Sequence, residues 1–450
     1  MKKIWTCLIC IIPLIYGGAV FAGGKDTGAM SVSDIVAVAL ENNPAVRAAA
    51  ADIGAAEASV KSARADMLPE AELSYGYTSM LEAPIMKWGG SDLQVSHQRI
   101  YNWDVTVVQP LFTGFALESN LSISRLDVVA NELEKEQVTL DLTRSVKGGC
   151  YNLLLARRLQ SVDEDEVISL SAHRKNAKLF FDQGLIRKND LLQAEVALAN
   201  SKQQLEMARA DVRKAEMVLN RLMNRALETP VVIRDEEPAI EELSSEFEVD
   251  TLGVQALDKR PIIRLLGVGL EQLGLAEKIA KSAWYPTLAL VGQCERSGDD
   301  PFGTNNDYSN EYNASITAQL QWKFWSSGKT RADLETARMN MRSLEASIEG
   351  YRKQVLNEVQ NAVLDCEVAL GNIATASSAL EQAGENWRIT ELQYREQTAL
   401  ASDVLDARTF LSQSGANYYR AVYGYLNAVA GLERAVGKDE IDPGAKKLYN

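Results

Sequence analysis

From Phe181 to Leu222 apolar residues return every seven positions. Leu191, Leu198, Leu205, Val212 and Leu219 form one series, and Ala194, Ser201, Ala208, Ala215 and Leu222 form the interleaved one. The pattern occurs twice. Shifted by 213 residues it falls on Tyr394 to Ala435, as Val404, Leu411, Tyr418, Tyr425 and Leu432 with Ala407, Ser414, Ala421, Ala428 and Ala435. One bulky and one small seam let neighbouring helices approach closely, so each copy reads as one arm of a tightly packed coiled coil. An equally long helical stretch precedes each copy, which makes the arms hairpins.

The rest of the chain repeats as well. Ser31 to Asn42 has a capping serine and helical spacing of apolar residues, and Pro44 opens an alanine-rich helix that Pro69 ends. Pro261 and Pro286 lie 217 residues further on and bracket a second such helix. After each, the apolar period drops to two, which predicts strands. Each second strand breaks at a glycine, Gly114 or Gly328, and a helix of some 65 residues follows, about 100 Å if continuous. Gly148-Gly149 is the expected place for the first of these to bend. The chain thus divides into a leader at 1–22 and a first repeat at 23–228, with strands at about 70–80 and 101–111 and a hairpin at 115–223. A linker at 229–248 leads to a second repeat at 249–437, with strands at about 285–295 and 313–325 and a hairpin at 328–436, and then a tail at 438–450.

Aromatic residues gather at the strand ends: Tyr75, Tyr77, Trp103, Phe112, Trp284, Tyr285, Trp322, Phe324 and Trp325. Aromatic belts around alternating strands of about ten residues are the signature of an outer-membrane β-barrel. Four strands cannot enclose a lumen, so several chains have to contribute. The leader has Lys2 and Lys3, an apolar run from Ile4 to Tyr16 and the small-residue end Val20-Phe21-Ala22, a secretory signal expected to be cleaved after Ala22.

The formal charge of −14 argues against a nucleic-acid partner and suits a solvated periplasmic surface or a path favouring cations. Cys150, Cys294 and Cys366 of the mature chain are odd in number and widely spaced, and His97 and His173 are the only histidines. Neither a disulfide framework, a metal site nor a cofactor is indicated. No nucleophile and base pair or phosphate loop stands out, so no enzyme is expected.

These residues resemble the TolC-like outer-membrane efflux proteins, also called outer membrane factors, over essentially the whole mature chain. The most specific elements are the twofold helix, strand, strand, helix, helix order, the tip FDQGLIRKNDLLQA and the closing pair SDVLDA and LNAVAGLERAVG. The resemblance implies a mainly α protomer with a small β part. Three copies then form a homotrimeric α-barrel of long coiled-coil hairpins, topped by a 12-stranded transmembrane β-barrel in outer-membrane lipid. It further implies an exit duct for tripartite efflux or type I secretion, fed by a periplasmic adaptor and an inner-membrane pump of RND or ABC type.

The resemblance also assigns roles to single residues. Asp403 and Asp406 match a pair of aspartates that rings the periplasmic entrance. Helix capping, with Ser402 as the cap, accounts for Asp403 equally well but not for Asp406. Tyr394 and Asp190 match residues that hold the entrance shut, while Ala399 stands where the family has an arginine in that latch. Arg187 and Lys188 are the nearby substitutes. Gly184 and Leu185 match the tip on which the adaptor docks; in the second copy that motif has become Gln397 and Thr398, so the two tips are not expected to be equivalent to the adaptor, and Thr398, Ala399 and Leu400 are the docking candidates there. A periplasmic coiled-coil adaptor or structural protein is the alternative, and it lacks paired aromatic-ended strands.

Overall fold

The computed structural model describes residues 29–234 and 247–438. The leader, the centre of the linker and the tail expected from the sequence lie outside the described residues.

Each repeat begins with a short helix and a longer one, α1 (Val32–Asn42) and α2 (Pro44–Ala65), then α5 (Val249–Lys259) and α6 (Pro261–Ser282). Ser31 and Asp34 close a capping box on α1, and Pro44 and Pro261 occupy first-turn positions where a missing N–H costs nothing. The long helices follow the strands: α3 (Ala116–Asp182) and α4 (Lys188–Leu222) form one hairpin, α7 (Lys329–Arg395) and α8 (Ala401–Val436) the other. α3 also packs along α8, which sets the side-by-side order α4, α3, α8, α7.

α3 is one continuous helix through Gly148-Gly149, where the sequence places a bend. Both glycines are buried, and a Cβ on Gly149 would stand 2.9 Å from Leu219 Cδ2. Their role is to let α4 and α8 approach, since a Cβ on Gly148 would meet Asn427 Oδ1 at 3.2 Å. The heptad seams point inward as the pattern requires: Ala194, Ser201, Leu205, Ala208 and Leu219 are buried in α4, and Val404, Ala407, Tyr425, Leu432 and Ala435 in α8.

Two equivalent cores anchor the hairpins. In the first repeat Ile35 and Ala39 of α1 pack on Val146, Cys150, Leu153 and Leu219, and in the second Leu252 and Ala256 of α5 pack on Val355, Val359, Cys366 and Leu432. Cys150 and Cys366 are free and buried, and burial pushes each thiol up to about 12. Polar ties join the repeats. Arg434 Nε donates to Asp141 Oδ1 at 2.7 Å and Lys147 pairs with Glu433 at 2.7 Å, while within the second repeat the buried Arg260 pairs with Glu358.

The four main strands form one antiparallel sheet in the order β1 (Glu70–Ser79), β4 (Arg99–Phe112), β5 (Thr287–Gly298), β6 (Tyr312–Gln321). The last strand is shorter than the expected 313–325. β5 starts at Thr287 opposite Gln321, so Trp322 and the residues after it have no partner strand among the described residues. The connection between the first two main strands holds a small hairpin of its own. β2 (Ile85–Trp88) and β3 (Ser91–Gln94) pair within it around Gly89-Gly90, whose φ angles of 61° and 90° suit a tight hairpin turn.

Register gives the sheet two unlike faces. On one, Tyr75, Trp103, Arg296 and Tyr312 form a row, followed by Leu73, Val105, Cys294 and Ala314, then Ala71, Val107, Gly292 and Ile316. On the other, the rows are Ser74, Asp104, Glu295 and Asn313, then Glu72, Thr106, Gln293 and Ser315. The outer strands β1 and β6 are exposed along their whole length, and each leaves one edge unpaired.

Candidate functional site: the hairpin tips and the sheet wall

The two hairpin turns have the same backbone. At the first, Gly184 N–H bonds Phe181 O and Leu185 N–H bonds Phe180 O, both at 2.9 Å, with Gly184 left-handed at φ 73°. This is a Schellman ending. At the second, Gln397 N–H bonds Tyr394 O at 3.0 Å and Thr398 N–H bonds Gln393 O at 2.8 Å, with Gln397 forced to φ 61°. A residue with a Cβ pays about 1 kcal/mol there.

The next helices start alike. Asp190 Oδ2 accepts Arg187 N–H at 3.1 Å, and Asp403 Oδ2 accepts Leu400 N–H at 3.1 Å. The cap of α8 is therefore Leu400, not Ser402, and Asp403 serves it from the third helical position. Asp190 and Asp403 are equivalent positions, 213 residues apart, in identical roles. Asp406 differs. It is exposed, makes no hydrogen bond or ion pair among the described residues, and has Gln193 as its counterpart in the first copy.

Tyr394 is 4 % exposed and sits in a small core with Ala401 and Val404, flanked by Phe180, Trp387 and Ala399. The latch expected between Tyr394 and Asp190 is not a hydrogen bond within one chain, because Tyr394 Oη has no partner among the described residues. Burial, and next the Asp190 charge, push the phenol up from its usual value. Ala399 fills space in this core instead of carrying a charge. Arg187 and Lys188 are exposed and form no ion pair among the described residues. Leu185 and Leu400 are also exposed, which leaves an apolar side chain at each tip.

Three residues around Tyr394 carry no signal in the sequence. His173 of α3 lies with its ring 4.8 Å from the Tyr394 ring, Phe180 at 5.7 Å, and Arg408 of α8 over Trp387 at 5.7 Å. The packing of α3 beside the second hairpin brings His173 and Phe180 to Tyr394, and the fold of the second hairpin itself brings Arg408 to Trp387.

At the other end, the two-faced sheet is the wall of a membrane barrel: its apolar rows suit lipid and its polar rows suit a lumen. No helix among the described residues is long and apolar enough to cross a membrane. Among the described residues no metal-ligating cluster occurs.

The profile of the family described as outer membrane efflux protein matches residues 35–225 and 252–438, one match per repeat. Outer membrane protein TolC of Vibrio cholerae is 23% identical over 442 residues, covering 95% of each chain. Outer membrane efflux protein BepC of Brucella suis is 21% identical over 431 residues, covering 92% of this chain and 89% of its own. Among solved structures, the Campylobacter jejuni CmeC outer membrane channel superposes with a TM-score of 0.76 at 16% identity, over 92% of this chain and 87% of that one. The open state of the Neisseria gonorrhoeae MtrE outer membrane channel gives 0.71 at 19% identity, over 91% and 89%.

Proposed function

The chain belongs to the outer membrane efflux protein family, and from that premise we propose that its hairpin tips form the gated, adaptor-docking entrance of an export duct. The family is one of passive channels. The protein resides in the outer membrane with its helices in the periplasm, and it is the exit duct of a tripartite export system.

The observation that carries this reading is the sheet: four strands, two unlike faces and a free edge on each side. Pairing β6 of one copy with β1 of the next continues the antiparallel alternation, and three copies supply twelve strands. A closed ring of identical contacts needs no other partner for the barrel. The periplasmic adaptor alternative gives the sheet nothing to do.

At the tips, α7–α8 is the inner, moving hairpin, and Tyr394 is its closed-state anchor. Asp406 lines the entrance of the trimer as a ring of three carboxylates that concentrates cations. Asp403 lies one turn nearer the tip and adds a second ring while capping its helix. Gly184, Leu185, Arg187 and Lys188, with Thr398, Ala399 and Leu400, form the surface offered to the adaptor. An inner-membrane pump supplies the energy.

Cell fractionation and native mass measurement test the duct itself. The protein is expected in the outer-membrane fraction and, after detergent extraction, as a particle of three chains. A soluble monomer in the periplasm would remove the reading.

A further inference from the structure

We infer that His173 is the proton-sensitive positioning residue of the gate: its neutral imidazole seats Tyr394 and holds the inner hairpin on the outer one, and protonation releases it. The inference rests on the gate reading above. His173 is 5 % exposed, on the face of α3 that also buries Leu170 and Ala177. Its ring lies 4.8 Å from that of Tyr394 and is tilted by 47°, a contact that joins the hairpin α3–α4 to the hairpin α7–α8. Any outward swing of α7–α8 has to break it.

The polar atoms of this contact are unusually placed. His173 Nε2 and Tyr394 Oη are both buried, and neither has a hydrogen-bond partner among the described residues. Each is a cost borne by the closed form, and water reaching the site on opening satisfies both. The pair is therefore poised, stable only while the imidazole is neutral.

The surrounding charges do not compensate an imidazolium. Glu391 on α7 is the acid that acts on His173, but its carboxylate is taken up by Arg395. On α4, Asp190 caps its helix and acts on Tyr394, and Glu195 pairs with Arg174 of α3 at 3.1 Å. Arg408 of α8 lies over Trp387 and has the charges of Glu166 and Asp165 of α3 acting on it. The attraction of an imidazolium for the Tyr394 ring face offsets only part of the cost of burying it.

Burial lowers the proton affinity of His173, and Glu391 restores part of it. An opened, hydrated His173 takes its proton near the ordinary value of ~6.5. The closed form takes it only at lower pH. As pH falls below ~6.5 the closed form loses stability relative to the open one, by up to about tenfold per pH unit and per chain, until the depressed closed-state value is reached.

The test is the conductance of purified trimers in planar bilayers between pH 7.5 and 5.0, at fixed salt, for the natural protein, His173→Phe, His173→Gln and Tyr394→Ala. The natural trimer is expected to rise several-fold in conductance below pH ~6.5. His173→Phe keeps the packing and takes no proton, so its conductance stays low and flat. His173→Gln is also flat, and it carries the test if the phenylalanine variant does not assemble. A flat natural profile, or a variant that keeps the rise, overturns the inference. Tyr394→Ala separates the two readings: it should conduct at every pH. If it conducts no more than the natural trimer, the gate reading fails and this inference falls with it.

Discussion

Arg408 lies over the Trp387 ring, 5.7 Å from its centre, at the two positions where the first hairpin has Arg174 and Glu195 as a 3.1 Å ion pair. The duplication has kept the site and exchanged its chemistry. The first hairpin holds its arms together with a half-exposed ion pair worth little in water. The second holds a buried guanidinium against an aromatic face, and its Nε has no partner among the described residues.

Trp387→Ala should therefore loosen the second hairpin by about 2 kcal/mol, because Arg408 is left buried without its aromatic cover. Conductance at neutral pH is expected to rise. Arg174→Ala, at the same position of the first hairpin, should change it little, and bilayer recordings compare the two.

Backbone strain separates the tips. Gln397→Gly should stabilise the second tip by about 1 kcal/mol, and Gly184→Ala should destabilise the first by a similar amount. Amide hydrogen exchange reads this locally: protection of Thr398 should rise in the first variant, and protection of Leu185 should fall in the second.

The two entrance aspartates should separate in the same way. Asp403→Ala removes the acceptor of Leu400 N–H and should cost about 1 kcal/mol of local stability, seen as faster exchange of that amide. Asp406→Asn breaks no such bond. It should leave exchange unchanged and lower the cation-to-anion permeability ratio of the trimer.

Glu358 tests how the second repeat is held together. Burial works to raise its carboxyl, but hydrogen bonds from Arg260 and Gln354 and the charges of Arg260 and Arg434 hold it below its usual value. Its contribution to stability is therefore complete above the ordinary glutamate range and lost as pH falls through the depressed value. Glu358→Ala leaves Arg260, itself 5 % exposed, without a partner and should cost about 3 kcal/mol, with a clear fall in Tm. The variant should also lose part of the acid sensitivity of the natural protein.

The duplicated helices, the strands and their aromatic ends were legible because each rests on a short-range period or on a proline or glycine at a fixed place. The tip glycine, Gly184, was legible as a helix ending, whereas Asp406 was singled out by the family motif alone. The small hairpin at Ile85–Gln94 was not, because its two strands of four residues each leave too short an alternation to read, and the signal lay only in Gly89-Gly90. At Gly148-Gly149 the sequence signalled only a bend, whereas the close contacts with Leu219 and Asn427 that these glycines permit depend on the packing of α4 and α8. His173 was silent because its contact with Tyr394 depends on which hairpins lie side by side, and Trp387 and Arg408 because theirs depends on the register of the two arms of one hairpin.

The central claim is that three chains close one barrel through β6 of one copy and β1 of the next. Cysteine pairing tests it most directly, with Glu72→Cys on β1 combined in turn with Asn313→Cys, Ser315→Cys or Thr317→Cys on the same polar face of β6, in a Cys294→Ser background. A disulfide requires Cα atoms within about 7 Å, so only adjacent strands can form one. At least one combination is expected to give covalent dimers and trimers, and no larger species, in oxidised outer membranes. Monomers in every combination would contradict the closed ring.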